Sequence, residues 1–270
     1  MTLQSDDATR EQVKAGYAAA ACCAPSSCSK FDRLTHHANS IGYESADLAS
    51  VPDGANLALG CGNPTALAQL KPGDVVVDLG SGAGMDAFIA APRVGPEGRV
   101  IGVDMTPQML ERARANAVRA GITNVEFREG IIEELPVASN SADVVISNCV
   151  INLSPDKAAA FKEAFRVLKP GGRLAVSDIL LTEPLPRALA SNAPAYLACI
   201  GGALVADDYL ALLREAGFED LRYESVSAAD LFDMAIDDPV IASLVTEIGS
   251  DQLRAVANTV YSYRIEARKP

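Results

Sequence analysis

The 270-residue sequence predicts an α/β fold built on a doubly wound, mostly parallel sheet, and three observations carry that reading. Short apolar runs rich in Val and Ile alternate with helix-length stretches from Val75 to Ser177, and a parallel strand buried on both faces reads as such a continuous run. The first run empties into a glycine-rich turn, L-G-S-G-A-G, Leu79 to Gly84. The chain closes on an alternating segment, Thr259 to Ala267, suited to a last strand that returns to the sheet.

In chain order, residues 1–30 are rich in Ala and Ser, have helical potential from Glu11 to Ala20, and end in C-C-A-P-S-S-C-S; they read as a flexible, cysteine-containing arm. Residues 31–71 form a loop and helix segment punctuated by Pro52, Gly54, Gly60, Gly62 and Pro64, with a short helix from Pro64 to Leu70. Residues 72–180 are the core, with strands at Val75–Leu79, Arg99–Val103, Val125–Arg128, Ala142–Ser147 and Arg173–Ser177. The helix from Pro107 to Ala120 has Thr106 as its N-cap and Gly121 as its stop; Ser154-Pro155 caps another that runs to Leu168. Residues 181–270 are a C-terminal elaboration: a helix from Tyr209 to Glu215, a strand from Leu221 to Val226, helical residues 228–257 outside the core, and the closing strand. No internal repeat is present.

Composition bounds the partners. A net charge of −12 sets up a field that repels phosphate backbones and acidic membrane surfaces, so neither nucleic acid nor membrane is expected. The N-terminus carries Asp6, Asp7, Arg10 and Glu11 in place of an apolar targeting segment, and the expectation is a cytoplasmic monomer. Six cysteines in a reducing compartment point to free thiols, metal ligation or redox chemistry rather than to a disulfide framework.

The turn after the first strand has the form D-L-G-S-G-A-G, Asp78 to Gly84, in which Gly80 and Gly82 allow close backbone approach to a ligand. It lacks the final x-x-G of a dinucleotide fingerprint, and Asp104 ends the second strand where a carboxylate accepts two ribose hydroxyls. With R-E-G-I-I-E-E-L-P at Arg128–Pro136 and L-K-P-G-G-R-L at Leu168–Leu174, residues 70–180 resemble the class I S-adenosylmethionine methyltransferases, which are Rossmann-like. That resemblance implies S-adenosyl-L-methionine as cofactor. It assigns Asp78, Gly80, Ser81, Gly82, Gly84, Asp104, Met105, Ile131, Ile132 and Asn148 to the cofactor, with the two isoleucines near the adenine.

Three cysteines fall in loop-like settings around that motif: Cys61 in A-L-G-C-G-N-P, Cys149 in S-N-C-V-I-N-L-S-P, and Cys199 in A-C-I-G-G-A-L. Three converging thiols suit one soft ion in a pyramid, whereas zinc normally takes a fourth ligand and no C-x-x-C pair supplies one. These strings resemble the arsenite methyltransferases, which implies that Cys61, Cys149 and Cys199 are the arsenic(III) ligands and catalytic thiols, with an N-terminal redox partner among Cys22, Cys23 and Cys28. The chemistry agrees: an arsenic lone pair attacks a sulfonium methyl without a general base, and the only histidines, His36 and His37, lie outside the core motifs. A cysteine pair closing to a disulfide then returns pentavalent arsenic to the trivalent state, and a thiol reductant such as glutathione or thioredoxin resets it. The alternatives are a methyltransferase of a small organic acceptor, with incidental cysteines, or a non-enzymatic metalloid sensor or sequestering protein.

Overall fold

The structure is a computed structural model and describes residues 6–22, 28–190, 192–228, 246 and 249–270. The core strands are β1 (Val75–Leu79), β2 (Arg99–Asp104), β3 (Val125–Glu129), β4 (Ala142–Asn148) and β5 (Leu168–Leu181), followed by β6 (Glu219–Ser227) and β7 (Val260–Arg268). Their order across one sheet is β3-β2-β1-β4-β5-β7-β6, parallel through β5 and antiparallel for the last two. The helices are α1 (Asp6–Cys22), α2 (Cys28–Ser40), α3 (Ser45–Leu48), α4 (Pro64–Leu67), α5 (Met85–Val94), α6 (Pro107–Ala120), α7 (Lys157–Val167), α8 (Arg187–Ala190), α9 (Ala193–Leu197), α10 (Ala206–Glu215) and α11 (Ser250–Ala257).

The helices cover both sheet faces, as the uninterrupted apolar strands require. Phe88 and Ala91 of α5 and Leu110 and Ala113 of α6 pack on one face with Val76, Val100 and Val144. Phe161 and Ala164 of α7 and Tyr209 and Leu213 of α10 pack on the other with Val77, Val145 and Val176. Phe161 and Tyr209 meet edge to face at 5.1 Å. Because β1 has β2 on one side and β4 on the other, the crossovers diverge between β1 and β4. That is the crevice in which ligands bind in open α/β sheets, at the carboxyl ends of the strands. Gly80 and Cys149 are the first residues past those two ends.

Four local expectations are corrected. Residues 6–22 are a packed helix rather than a loose arm: Val13 and Ala21 are buried, and the Arg112 guanidinium donates to the Ala21 carbonyl at 2.7 Å. An Ala-rich face needs only small contacts to seat closely, and Gly16 lies directly against Leu197. Helix α7 is capped by Asp156, whose carboxylate accepts from the Ala159 N–H at 2.9 Å, while Ser154 hydrogen-bonds Glu133 instead. Thr106 occupies the first cap of α6 without a side-chain bond, whereas Gly121 ends that helix in the left-handed conformation as anticipated. Strand β5 is far longer than Arg173–Ser177, which brings Asp178 inside its buried C-terminal half, Leu174–Leu181. Most of the helical stretch anticipated at 228–257 lies outside the described residues; its last part is α11.

Candidate active site

The glycine-rich turn opens one side of a deep cavity in that crevice, which encloses about 1130 Å³ with its mouth included. Gly80, Gly82 and Gly84 all have positive φ, the conformation that an L side chain resists. A Cβ at Gly80 would strike Val150, and one at Gly84 would strike Phe88 and Phe127. Gly84 therefore serves the seat of α5 on the sheet and does not line the cavity. Asp104 lies at the end of β2 and is clamped by two backbone donors, Gly82 N–H at 2.9 Å and Thr106 N–H at 2.8 Å. Each of its oxygens keeps a lone pair for a hydroxyl. Burial raises its pKa, an effect those two bonds offset in part.

Two further atoms fit the same ligand. Asp78 Oδ2 and Ser81 Oγ line the cavity, are buried, and have no hydrogen-bond partner. The Asp78 carboxylate accepts from the Ala87 N–H, and an oxygen left without a donor at this depth awaits a cationic or hydrogen-bonding group. Burial raises the Asp78 pKa strongly, with Asp86 and Asp104 adding to it. Met105, Ile131 and Ile132 line the remainder of the cavity, Ile132 being buried. These residues suit S-adenosylmethionine: glycines for close approach, a clamped carboxylate for adjacent hydroxyls, apolar walls for a flat ring, and an orphan carboxylate oxygen for an ammonium group.

Asn148 lines the cavity too, but its amide is spent on the protein. Its Nδ2 donates to Tyr43 Oη (2.8 Å), the Gly62 carbonyl (2.8 Å) and Asp86 Oδ2 (3.0 Å), and its Oδ1 accepts from the Cys61 N–H at 3.0 Å. This side chain fixes the Cys61 loop to the end of β4. Tyr43 donates to Asp86 at 2.6 Å, and burial lifts Asp86 to about 6 against the opposing pull of Tyr43 and Asn148. His37, rather than standing free, meets the Gly60 carbonyl at 3.2 Å; since a carbonyl only accepts, Nε2 carries the proton. His36 is exposed.

The three anticipated cysteines do converge. Cys61 and Cys149 form a disulfide with Cα atoms 5.9 Å apart, and Cys199 is a free, buried thiol in the same apolar cluster. The Cys199 thiol donates to the Cys149 carbonyl at 3.1 Å. Cys149 and Cys199 both have left-handed backbones, with φ of 59° and 62°. Such strain in non-glycine residues, of order 1–3 kcal/mol each, persists only where the surroundings hold it. Here the Cys149 N–H donates to the Ser177 carbonyl at 2.8 Å, and Asn152 reaches the Ile179 and Cys199 carbonyls. Of the three, Cys149 lines the cavity. Burial, with Asp178 adding, pushes the Cys199 thiol up to about 12, so it is protonated at neutral pH.

Helix α1 covers this arrangement, through residues to which the sequence pattern gave no role. Arg10, Val13 and Tyr17 line the cavity; Arg10 pairs with Glu133 at 3.4 Å, and Tyr17 Oη lies 3.9 Å from the Cys199 sulfur. Asp178 is the other unforeseen group. It is completely buried, accepts from Tyr209 Oη at 3.0 Å, and is raised to about 7 by burial against the opposing effects of Tyr209 and Lys157. An acid inside the run L-A-V-S-D-I-L-L is a signal that could have been read. Cys22 is exposed at the end of α1, Cys28 lies in α2, and Cys23 lies outside the described residues.

Comparison with known proteins agrees with this geometry. A family model described as a methyltransferase domain matches residues 70–217. An arsenite methyltransferase of Halobacterium salinarum is 42% identical over 275 residues, covering 97% of this chain and 67% of the relative. One from Aquipseudomonas alcaligenes is 44% identical over 184 residues, covering 66% of this chain and 53% of the relative, so the chain spans about half of that protein. The crystal structure of an arsenic(III) S-adenosylmethionine methyltransferase from Chlamydomonas reinhardtii matches with a TM-score of 0.61 and 33% identity, over 86% of this chain and 73% of the other. A class I methyltransferase core with three of its cysteines gathered at the cofactor crevice, and a relative matched along nearly its whole length, place this chain in the arsenite methyltransferase family.

Proposed function

We propose that the protein transfers the methyl group of S-adenosylmethionine to trivalent arsenic held by Cys61, Cys149 and Cys199. The observation that carries this reading is the position of Cys149, in the wall of the cofactor cavity with the other two sulfurs gathered behind it. When bound, S-adenosylmethionine supplies an electrophilic sulfonium methyl group. Asp104 holds the ribose hydroxyls, Ile131 and Ile132 the adenine, and Asp78 the ammonium end. The thiols need not ionise in advance: each exchanges with an arsenic hydroxyl, forming an As–S bond and releasing its proton in water. Thiolate ligands leave the arsenic lone pair free, and the cradle's contribution is to aim it.

Arsenic that has gained a methyl group is formally pentavalent. Cys61 and Cys149, already seated to bond each other, supply two electrons by closing their disulfide as arsenic returns to the trivalent state. A small thiol such as glutathione, or a dithiol protein such as thioredoxin, then opens that bond, and exposed Cys22 is positioned at the surface to relay the exchange. The test is to incubate the protein with S-adenosylmethionine, arsenite and a thiol reductant and to speciate the arsenic. Methylated arsenicals that require all three components support the reading; cofactor turnover independent of arsenite ends it.

A further inference from the structure

We propose that, once the Cys61–Cys149 bond is reduced, these two sulfurs and the Asp178 carboxylate form a zinc(II) site whose donor set differs from that of the arsenic cradle. One ligand atom from each of the three residues lies within 4.8 Å of the other two, and all three residues are buried. Zinc takes thiolate at about 2.3 Å and carboxylate at about 2.0 Å, so a tetrahedral ion needs its ligand atoms roughly 3.5–3.8 Å apart. The trio lies within reach of that spacing once reduction lets the two sulfurs part. Three protein ligands and one open position are the composition of many zinc centres, and one of the three, Cys149, lines the cavity.

Asp178 is also supported as zinc-binding carboxylates are. Tyr209 Oη donates to its Oδ2 at 3.0 Å and the Ile179 N–H to its Oδ1 at 3.0 Å, which fix its orientation and leave lone pairs on both oxygens. Lys157, held by the Asn152 and Ser154 carbonyls, offsets the Asp178 charge from nearby. Opening the disulfide takes two electrons and two protons from a thiol reductant, which is itself oxidised to a disulfide. Loading the ion then releases those two protons as one dication enters, so the net charge of the buried cluster is unchanged. Arsenic(III) has no use for the hard carboxylate where three thiols are available. Zinc at this site occupies two of the arsenic thiols, competes with arsenite, and shields the pair from disulfide closure.

The inference concerns metal binding alone and is tested without methyl transfer. The full chain, with Cys22, Cys23 and Cys28 replaced by Ser, is reduced with a phosphine under anaerobic conditions and titrated with cadmium(II). The expected result is one ion per chain with the ultraviolet sulfur-to-cadmium charge-transfer band, displaced by zinc(II). Asp178→Asn, which preserves an acceptor for Tyr209, should weaken cadmium and zinc binding by about 10- to 100-fold while leaving phenylarsine oxide binding within about twofold. Cys61→Ser provides the second variant, and cofactor binding reports that each variant is folded. Failure of the reduced protein to take up cadmium overturns the proposal, as does uptake unchanged in Cys61→Ser or in folded Asp178→Asn.

Discussion

Opening the Cys61–Cys149 disulfide should cost the protein a large part of its stability. The bond closes a loop with a sequence separation of 88 residues, and the chain-entropy relation gives about 4.6 kcal/mol for a loop of that length at 25 °C. Measured values usually fall somewhat lower, so about 3–4.6 kcal/mol is the expected range. Cys61→Ser isolates the bond, because the Cys61 N–H still reaches Asn148 and its carbonyl still accepts from Ser262 at 2.7 Å. With a urea slope of about 3 kcal/mol per molar, the midpoint should fall by roughly 1–1.5 M on either reduction or substitution. The assay is urea unfolding followed by circular dichroism, for oxidised and phosphine-reduced samples of the wild type and the variant. Reduction should move the wild type and leave Cys61→Ser in place. A wild-type midpoint indifferent to reductant, or an equal shift in the variant, would refute the reasoning, since the stabilisation would then not come from this bond.

Asp104→Ala should weaken S-adenosylmethionine binding by about 10²- to 10⁴-fold, as two charge-assisted hydroxyl bonds of roughly 1.5–3 kcal/mol each are lost, while arsenical binding is preserved; calorimetry with each ligand separates the two. Cys149→Ser should abolish methylation of both arsenite and a monomethylated trivalent arsenical, whereas Cys61→Ser should impair arsenite more, and full activity of Cys149→Ser on both substrates would sink the thiolate cradle. Asp86→Asn should flatten the pH dependence of stability. With Asp86 raised from 3.8 to about 6 by burial, the native state binds more protons than the unfolded state between those values, so its contribution falls as pH rises from about 4 to about 6. Urea midpoints at the two ends of that window give the slope, which should shrink in the variant. Removing residues 1–22 should weaken cofactor binding by about tenfold or more, because Val13 and Tyr17 wall the cavity; unchanged affinity in equilibrium dialysis would show that α1 is dispensable as a cover.

What the sequence made legible was whatever depends on local signals. The strand β1, its glycine turn and Asp104 could be read because parallel strands are continuously apolar and a tight turn at a ligand demands glycine. The three cysteine strings could be read because each lies in a distinctive loop, although their resemblance to a family, rather than their spacing, joined them. The helical potential from Glu11 to Ala20 could be read, but the docking of α1 was hidden because its evidence is tertiary: an Ala-rich segment is as consistent with a loose arm as with a packed helix until Gly16 is seen against Leu197 and Arg112 against the Ala21 carbonyl. The anchoring role of Asn148 was hidden for a similar reason. Its position after β4 puts it at the cavity, but only the fold brings Cys61, Gly62, Tyr43 and Asp86 to its amide.

Those two residues of hidden logic meet at the same place. Asn148 fixes the Cys61 loop from one side of the crevice, and Tyr17 carries α1 to the Cys199 sulfur from the other. The cofactor cavity and the thiol cluster thus share walls: Asn148 and Cys149 are adjacent in the chain, and Tyr17 lines the cavity while touching Cys199. On the proposed reading, a loop fixed on one side and a covering helix on the other would let the sulfurs exchange partners, disulfide for arsenic, without moving the cofactor's walls. Positioning of this kind is what the reaction asks for, because the lone pair of arsenic needs direction rather than a base.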